Sequence, residues 1–240
     1  MSKTLGIIGG MGPLATAFLF KKIVTMTEAK SDQEHLDILI YNNTSIYDRS
    51  DFILNKGKNP RKQLIESAIK LENMGSEYLI MPCNTAHYFY NDIIKHISIP
   101  FINMIEVTAN YFYYNFSMFD RVGLLATEGT YKSKVYEKFF NKRGIKIIKP
   151  SKKNQKYITE LIYGIKESKK NINLNNFYKV LDELNKRDVK VIILGCTELS
   201  VANKLYRLSG DFIDPMDELS KRAIVFGGKK LRKKGEDIRL

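Results

Sequence analysis

The chain holds only two cysteines among its 240 residues, and they stand far apart, at Cys83 and Cys196. Two such thiols cannot form the disulfide framework that staples a small secreted scaffold. Isolated as they are, they also lack zinc-ligand spacing, so no metal site is expected. Long apolar runs are missing too, and none approaches the ~18 to 20 residues a membrane span needs. Glycines interrupt the short apolar stretch in the opening "MSKTLGIIGG", which is unlike a signal peptide. The closing "GEDIRL" carries no prenylation or retention signal. No G-x-x-x-x-G-K-[ST] occurs, which excludes a P-loop. The expectation is a cytoplasmic protein with free thiols and no membrane partner. In that compartment the sequons at Asn42, Asn43 and Asn115 mean little.

What is present fits a soluble globular protein. Apolar residues make up 44% and charged residues 27%, within the range of ordinary soluble domains, and the length allows a sizeable core. The net charge is +13, concentrated in "KPSKKNQK", "KESKKNINLNN" and "GGKKLRKKGEDIRL". Such runs read as solvated surface and tail, and no arginine-rich helix, zinc-finger spacing or RNP-like aromatic pattern accompanies them. No nucleic-acid partner is expected, although the charge leaves a nucleic-acid-binding protein as a less favoured alternative, and it suits a small acidic substrate.

The chain repeats itself. Its first half runs "TLGIIGGMGPLAT", "LDILIYNN", "RKQLIESAIKLENMGSEYLIMPCNTA" and "IPFINMIEVTAN". Its second runs "RVGLLATEGTYKS", "GIKIIKP", "NFYKVLDELNKRDVKVIILGCTEL" and "GDFIDPMDELSKR". Equivalent residues keep a nearly constant offset: 123 − 6 = 117 for the glycines, 196 − 83 = 113 for the cysteines and 212 − 101 = 111 for the phenylalanines. Leu64, Ile65, Ala68 and Leu71 form an apolar stripe at helical spacing, as do Phe177, Val180, Leu181 and Leu184. Each stripe leads into an unbroken apolar run, the signature of a parallel strand buried on both faces, and the last segment of each half is expected to open with a fourth short strand. The pattern predicts an α/β protein of two pseudo-symmetric, doubly wound lobes with mainly parallel sheets and a site in the cleft between them. The lobes are expected at 1–104 and 105–212, with a C-terminal helix and basic tail at 213–240 packing back on the first. The helical stretch "MIEVTANYFYYNF" would cross between them.

Ligands of open α/β sheets bind beyond the carboxyl ends of the strands, where both cysteines are expected. A lone cysteine there is more often a small buried hydrophobe than a nucleophile. Its occurrence at equivalent positions of two diverged halves favours a shared function, with a structural pair as the alternative. Backbone N–H groups opening a helix can lower a thiol pKa and can bind a carboxylate. His87, one helical turn after Cys83, could tune that thiol or serve packing. Glu198 could orient a substrate ammonium, and Arg49 could fork onto a carboxylate. Lys166 reads locally as a solvated helix residue. "GMGPLA" matches a dinucleotide fingerprint, which leaves an NAD-dependent oxidoreductase as an alternative. The acidic residue expected at the end of the second strand is replaced by Asn42 and Asn43, which favours a cleft wall or small-anion loop.

Taken together, "IGGMGPLAT", "MPCNTAH" and "LGCTELS" resemble the aspartate/glutamate racemase superfamily, most closely its aspartate racemase branch. The resemblance covers essentially the whole chain. The glutamate after "GCT", where glutamate racemases usually show histidine, points to the aspartate branch. The resemblance implies a cofactor-independent isomerase that interconverts L- and D-aspartate, with no pyridoxal phosphate, metal or nucleotide. It implies Cys83 and Cys196 as the acid/base thiols. Asn84, Thr85, Thr127 and Thr197 would hold the α-carboxylate and ammonium region. Arg49 and Lys166 would hold the distal carboxylate, and Met11 and Glu198 would complete the substrate site. Glutamate or a broader range of amino acids is the alternative substrate within the superfamily. Relatives are commonly dimers, so a homodimer is expected, and the tyrosine-rich "NYFYYNF" could serve its contact.

Overall fold

The structure, a computed structural model, describes residues 2–167, 169 and 172–233. Its first half builds a parallel sheet from β1 (Leu5–Gly9), β2 (Ile38–Asn42) and β3 (Tyr78–Ile80), in the order β2-β1-β3. Helices α1 (Pro13–Met26), α2 (Arg49–Ile53), α3 (Arg61–Asn73) and α4 (Tyr90–Ile93) connect and follow these strands. Helix α5 (Met104–Asn115) then leads to the second half. There β4 (Arg121–Leu125), β5 (Lys146–Ile148), β6 (Ile192–Leu194) and β7 (Phe212–Ile213) form a second parallel sheet, in the order β5-β4-β6-β7. Its helices are α6 (Glu128–Ser133), α7 (Glu137–Phe140), α8 (Lys152–Lys166), α9 (Leu174–Lys186) and α10 (Thr197–Tyr206), and α11 (Pro215–Phe226) closes the fold. The last seven residues of the basic tail lie outside the described residues.

The central strands β1 and β4 are buried along nearly their whole length, as expected for parallel strands covered on both faces. The stripes expected at helical spacing face inward: Leu64, Ala68 and Leu71 are buried on α3, and Phe177, Val180 and Leu184 on α9. One expectation fails. The fourth strand of the first half is a single bridge between Leu79 and Phe101, so that sheet has three strands. The reason is local. Pro100 lacks a ladder N–H, and Asn103 turns the chain at once into α5 by accepting from the N–H groups of Ile105 and Glu106.

Helix α11 packs on the first half although it follows the second. Its Met216, Leu219, Ala223 and Ile224 share a core with Leu5 and Ile7 of β1 and with Leu19 and Ile23 of α1. The Tyr78 hydroxyl donates to the Ala223 carbonyl at 2.8 Å from within the same core. Each fully buried Leu or Ile here contributes about 1.5–3 kcal/mol, so the docking is firm. Between the halves, α2 meets α6 at Gly129, where a Cβ would sit 2.6 Å from Ser50 Cα. Only a glycine lets the two backbones approach so closely.

Candidate active site

The carboxyl ends of β1, β3, β4 and β6 converge on one narrow cavity of about 10 Å³. Met11, Arg49, Cys83, Asn84 and Thr85 reach it from the first half. Thr127, Lys166, Cys196, Thr197 and Glu198 reach it from the second. Every site residue expected from the sequence therefore lines the same space. The fold also brings in Asp48 and Ser50, which sequence reasoning missed. The two thiols enter from opposite sheets, Cys83 just past β3 and Cys196 as the residue that opens α10, and each is 6% exposed.

The loop between β1 and α1 brings Met11 to the wall. Gly10 has φ +96, and a Cβ there would lie 2.2 Å from the Asn43 carbonyl oxygen. That position admits only glycine. Pro13 begins α1, where its missing N–H costs nothing.

Hydroxyl groups knit the two halves together at the cavity. Ser50 Oγ donates to Thr127 Oγ1 at 3.1 Å, and Thr85 Oγ1 lies 3.1 Å from Thr127 Oγ1 and 2.8 Å from Thr130 Oγ1. Beside them Asn84 is held by one end only. Its Oδ1 accepts from the buried Tyr136 hydroxyl at 2.5 Å, while its Nδ2 is buried without a partner. Arg49 is similar, for its Nη1 donates to the carbonyls of Ile46 and Tyr47 while its Nε is buried and unpartnered. A buried donor without an acceptor costs about 1–3 kcal/mol, so two of them at one cavity mark a place for an anion.

The charges around Cys196 are distinctive. Its Sγ donates to Glu198 Oε2 at 2.8 Å, and Thr197 Oγ1 donates to the same oxygen at 3.3 Å. Burial and the Glu198 carboxylate push the Cys196 thiol well above the usual thiol range, and Lys166 offsets this only in part. The helix-opening backbone N–H groups that could have lowered this thiol are thus outweighed. Burial alone would lower the Lys166 pKa, but Glu198, Cys196 and Asp48 together hold it above the usual lysine value. Lys166, at the end of α8, is therefore a cation of the site, where its local sequence reads as a solvated helix residue.

His87 does not bond to the Cys83 sulfur. Its Nε2 accepts from the Met104 N–H at 3.0 Å, which leaves the proton on Nδ1 to be donated to the Cys83 carbonyl at 2.9 Å. Burial pushes its pKa down to about 4, so the ring is neutral at pH 7. His87 fixes the backbone that carries Cys83. Among the described residues no group of three or more His, Cys, Asp or Glu could hold a metal ion, and no helix is long and apolar enough to cross a membrane.

Residues 8–223 match the Asp/Glu/hydantoin racemase family. The chain belongs to that family. Across 97% of both chains it is 30% identical to the aspartate racemase of Picrophilus torridus, with a TM-score of 0.85, which places it in the aspartate racemase branch. It is 27% identical over 201 residues to the broad specificity amino-acid racemase RacX of Bacillus subtilis (strain 168), covering 82% of this chain and 86% of that one. The glutamate racemase of Francisella tularensis, solved with D-glutamate, shares the fold at 19% identity and a TM-score of 0.66, over 94% of this chain and 81% of that one. The enzyme is thus an isomerase of the amino-acid racemase class.

The residues missed by sequence reasoning differ in how findable they were. Asp48 carries a signal, since an aspartate that accepts from the N–H three residues on is a helix cap. Ser50 lies in the first turn of the helix that Asp48 caps, and Thr130 in the turn that Thr127 caps. Tyr136 carries none, because only the meeting of the two halves brings its hydroxyl to Asn84.

Proposed function

We propose that this enzyme interconverts L- and D-aspartate without a cofactor, with Cys83 and Cys196 as its two acid/base groups. The observation that carries the reading is the meeting of two thiols, one from each half, in one cavity with two cationic side chains. One thiolate takes the Cα proton and becomes a thiol. The opposing thiol gives its proton to the other face of Cα and becomes a thiolate, so the protons balance over a turnover. Cα–H is very weakly acidic, and the charge that develops must be met by donors aimed at the α-carboxylate. Asn84 Nδ2 and the Thr85, Thr127 and Thr197 hydroxyls suit that role, each such donor being worth about 3–4 kcal/mol in a dry site. Arg49 and Lys166 suit the distal carboxylate.

The test is turnover of L-aspartate in deuterium oxide by the protein without additives. The D-enantiomer should form with deuterium at Cα, and Cys83→Ser and Cys196→Ser should each lose at least about 10²-fold in rate. Full activity in either single variant would end the two-thiol scheme. A broader amino-acid range is the second reading, favoured by a larger outer recess. That recess, of about 330 Å³, shares Met11, Arg49, Lys166 and Glu198 with the inner cavity, and is otherwise walled mainly by apolar Pro13, Leu14, Ala15, Ile165 and Val201. A panel of acidic and neutral amino acids separates the two.

A further inference from the structure

The cavity carries its own carboxylate at the place where an acidic side chain should bind. Asp48 uses its two oxygens differently. Oδ1 accepts the Asp51 N–H at 3.0 Å and so caps α2, while Oδ2 lies 3.9 Å from Lys166 Nζ, reaching from the first half to the end of α8 in the second. Asp48 lines the inner cavity beside Arg49, and Lys166 lines both that cavity and the outer recess. The charges at the cavity, Arg49 and Lys166 against Asp48 and Glu198, are thus balanced before any substrate arrives. Arg49 and Lys166 both reach the two spaces, and Lys166 is the one that Asp48 already partners.

We propose that Asp48 is a specificity-determining residue, whose carboxylate occupies on Lys166 the place that the side-chain carboxylate of an acidic amino acid must take. An acidic substrate has to displace Asp48 from Lys166. A neutral amino acid leaves that pair intact and meets no uncompensated cation. Asp48 therefore lessens the preference of the site for acidic over neutral side chains. It gives the cavity a resting state in which Lys166 is satisfied, and it sets how far this site leans toward acidic substrates. The inference rests on the racemase reading for its substrate, but its main test does not.

Succinate, a dicarboxylate without an α-amine, is titrated calorimetrically into the wild type, Asp48→Asn, Lys166→Met and the double variant. Asparagine caps a helix about as well as aspartate, and Asp48→Ser provides a second capping replacement if the first folds poorly. A partly exposed ion pair is worth up to about 1 kcal/mol, so Asp48→Asn should bind succinate up to about fivefold more tightly. That gain should vanish in the Lys166→Met background. In turnover, the KM for L-aspartate should fall by a similar factor while the KM for L-alanine shows no such fall. Equal succinate affinity in wild type and Asp48→Asn overturns the proposal. So does a gain that survives loss of Lys166, an equal gain for alanine, or no succinate binding by any variant. If L-aspartate is not racemised but the succinate gain appears and depends on Lys166, the substrate reading fails and the role of Asp48 stands.

Discussion

The thiol of Cys196 donates to the carboxylate of Glu198 at 2.8 Å, with both side chains buried. No such carboxylate follows Cys83, where Asn84 and Thr85 stand instead. Two halves built on one plan thus give their thiols different surroundings, and burial with the Glu198 carboxylate favours the protonated form of Cys196.

The sign of that effect can be measured. Glu198 is the second-largest cause, after burial, that raises the Cys196 pKa. Replacing it with neutral glutamine removes a repulsion against the thiolate, so Cys196 should lose its proton at lower pH. A two-thiol racemase is active only while one thiol keeps its proton. The alkaline limb of the kcat/KM profile of Glu198→Gln should therefore move to lower pH. An unchanged or upward-moving limb would detach Glu198 from the chemistry.

Tyr136 should act through Asn84. Burial holds its hydroxyl far above the usual tyrosine pKa, so it remains a donor across the working range. In Tyr136→Phe the Asn84 amide loses the contact that fixes its orientation, and a buried acceptor is left unmet at about 1–3 kcal/mol. We expect kcat to fall by about tenfold or more with little change in KM. The Tyr136→Phe/Asn84→Ala pair should be no slower than Asn84→Ala alone, since residues acting through one contact are not additive. Additive losses would assign Tyr136 a separate role.

Gly129 should control how closely the halves meet. In Gly129→Ala the new Cβ lies 2.6 Å from Ser50 Cα, a backbone atom that cannot step aside. Helices α2 and α6 must part, which costs about 1–3 kcal/mol and stretches the Ser50–Thr127 hydrogen bond across the cavity. Melting should fall by about 2–4 °C per kcal/mol, and racemisation should weaken as the hydroxyl groups separate. Wild-type melting and rate together would refute this account.

His87 should make stability pH-dependent. Its pKa is near 4 in the folded chain against about 6.5 when unfolded. Protons therefore favour the unfolded state between those values. Stability is complete above about pH 6.5 and falls by about 3 kcal/mol as pH drops to 4, other groups apart. Urea midpoints measured across that window should decline less steeply for His87→Gln than for wild type. Parallel declines would place the acid sensitivity elsewhere.

The larger part of the fold was readable from local pattern. The stripes on α3 and α9 and the apolar runs of β3 and β6 are periodic features, and periodicity survives in one dimension. The missing fourth strand of the first sheet was less visible, because "IPFINMI" has strand-like composition. What decides against it is Pro100 and the Asn103 cap acting together at the edge of a sheet.

The site divides in the same way. The sequence by itself determined the two thiols, the small-residue loop, the duplication and the polar residues that follow each cysteine. These are short motifs whose meaning lies in neighbouring residues and in a repeat visible along the chain. Only the tertiary structure decided that Lys166 is a cation of the cavity, that Asp48 already partners it and that Tyr136 orients Asn84. It also decided that Glu198 holds the proton of Cys196. Each of these depends on distance and burial between side chains or on which neighbouring charge is left unscreened, and no spacing along the chain encodes that.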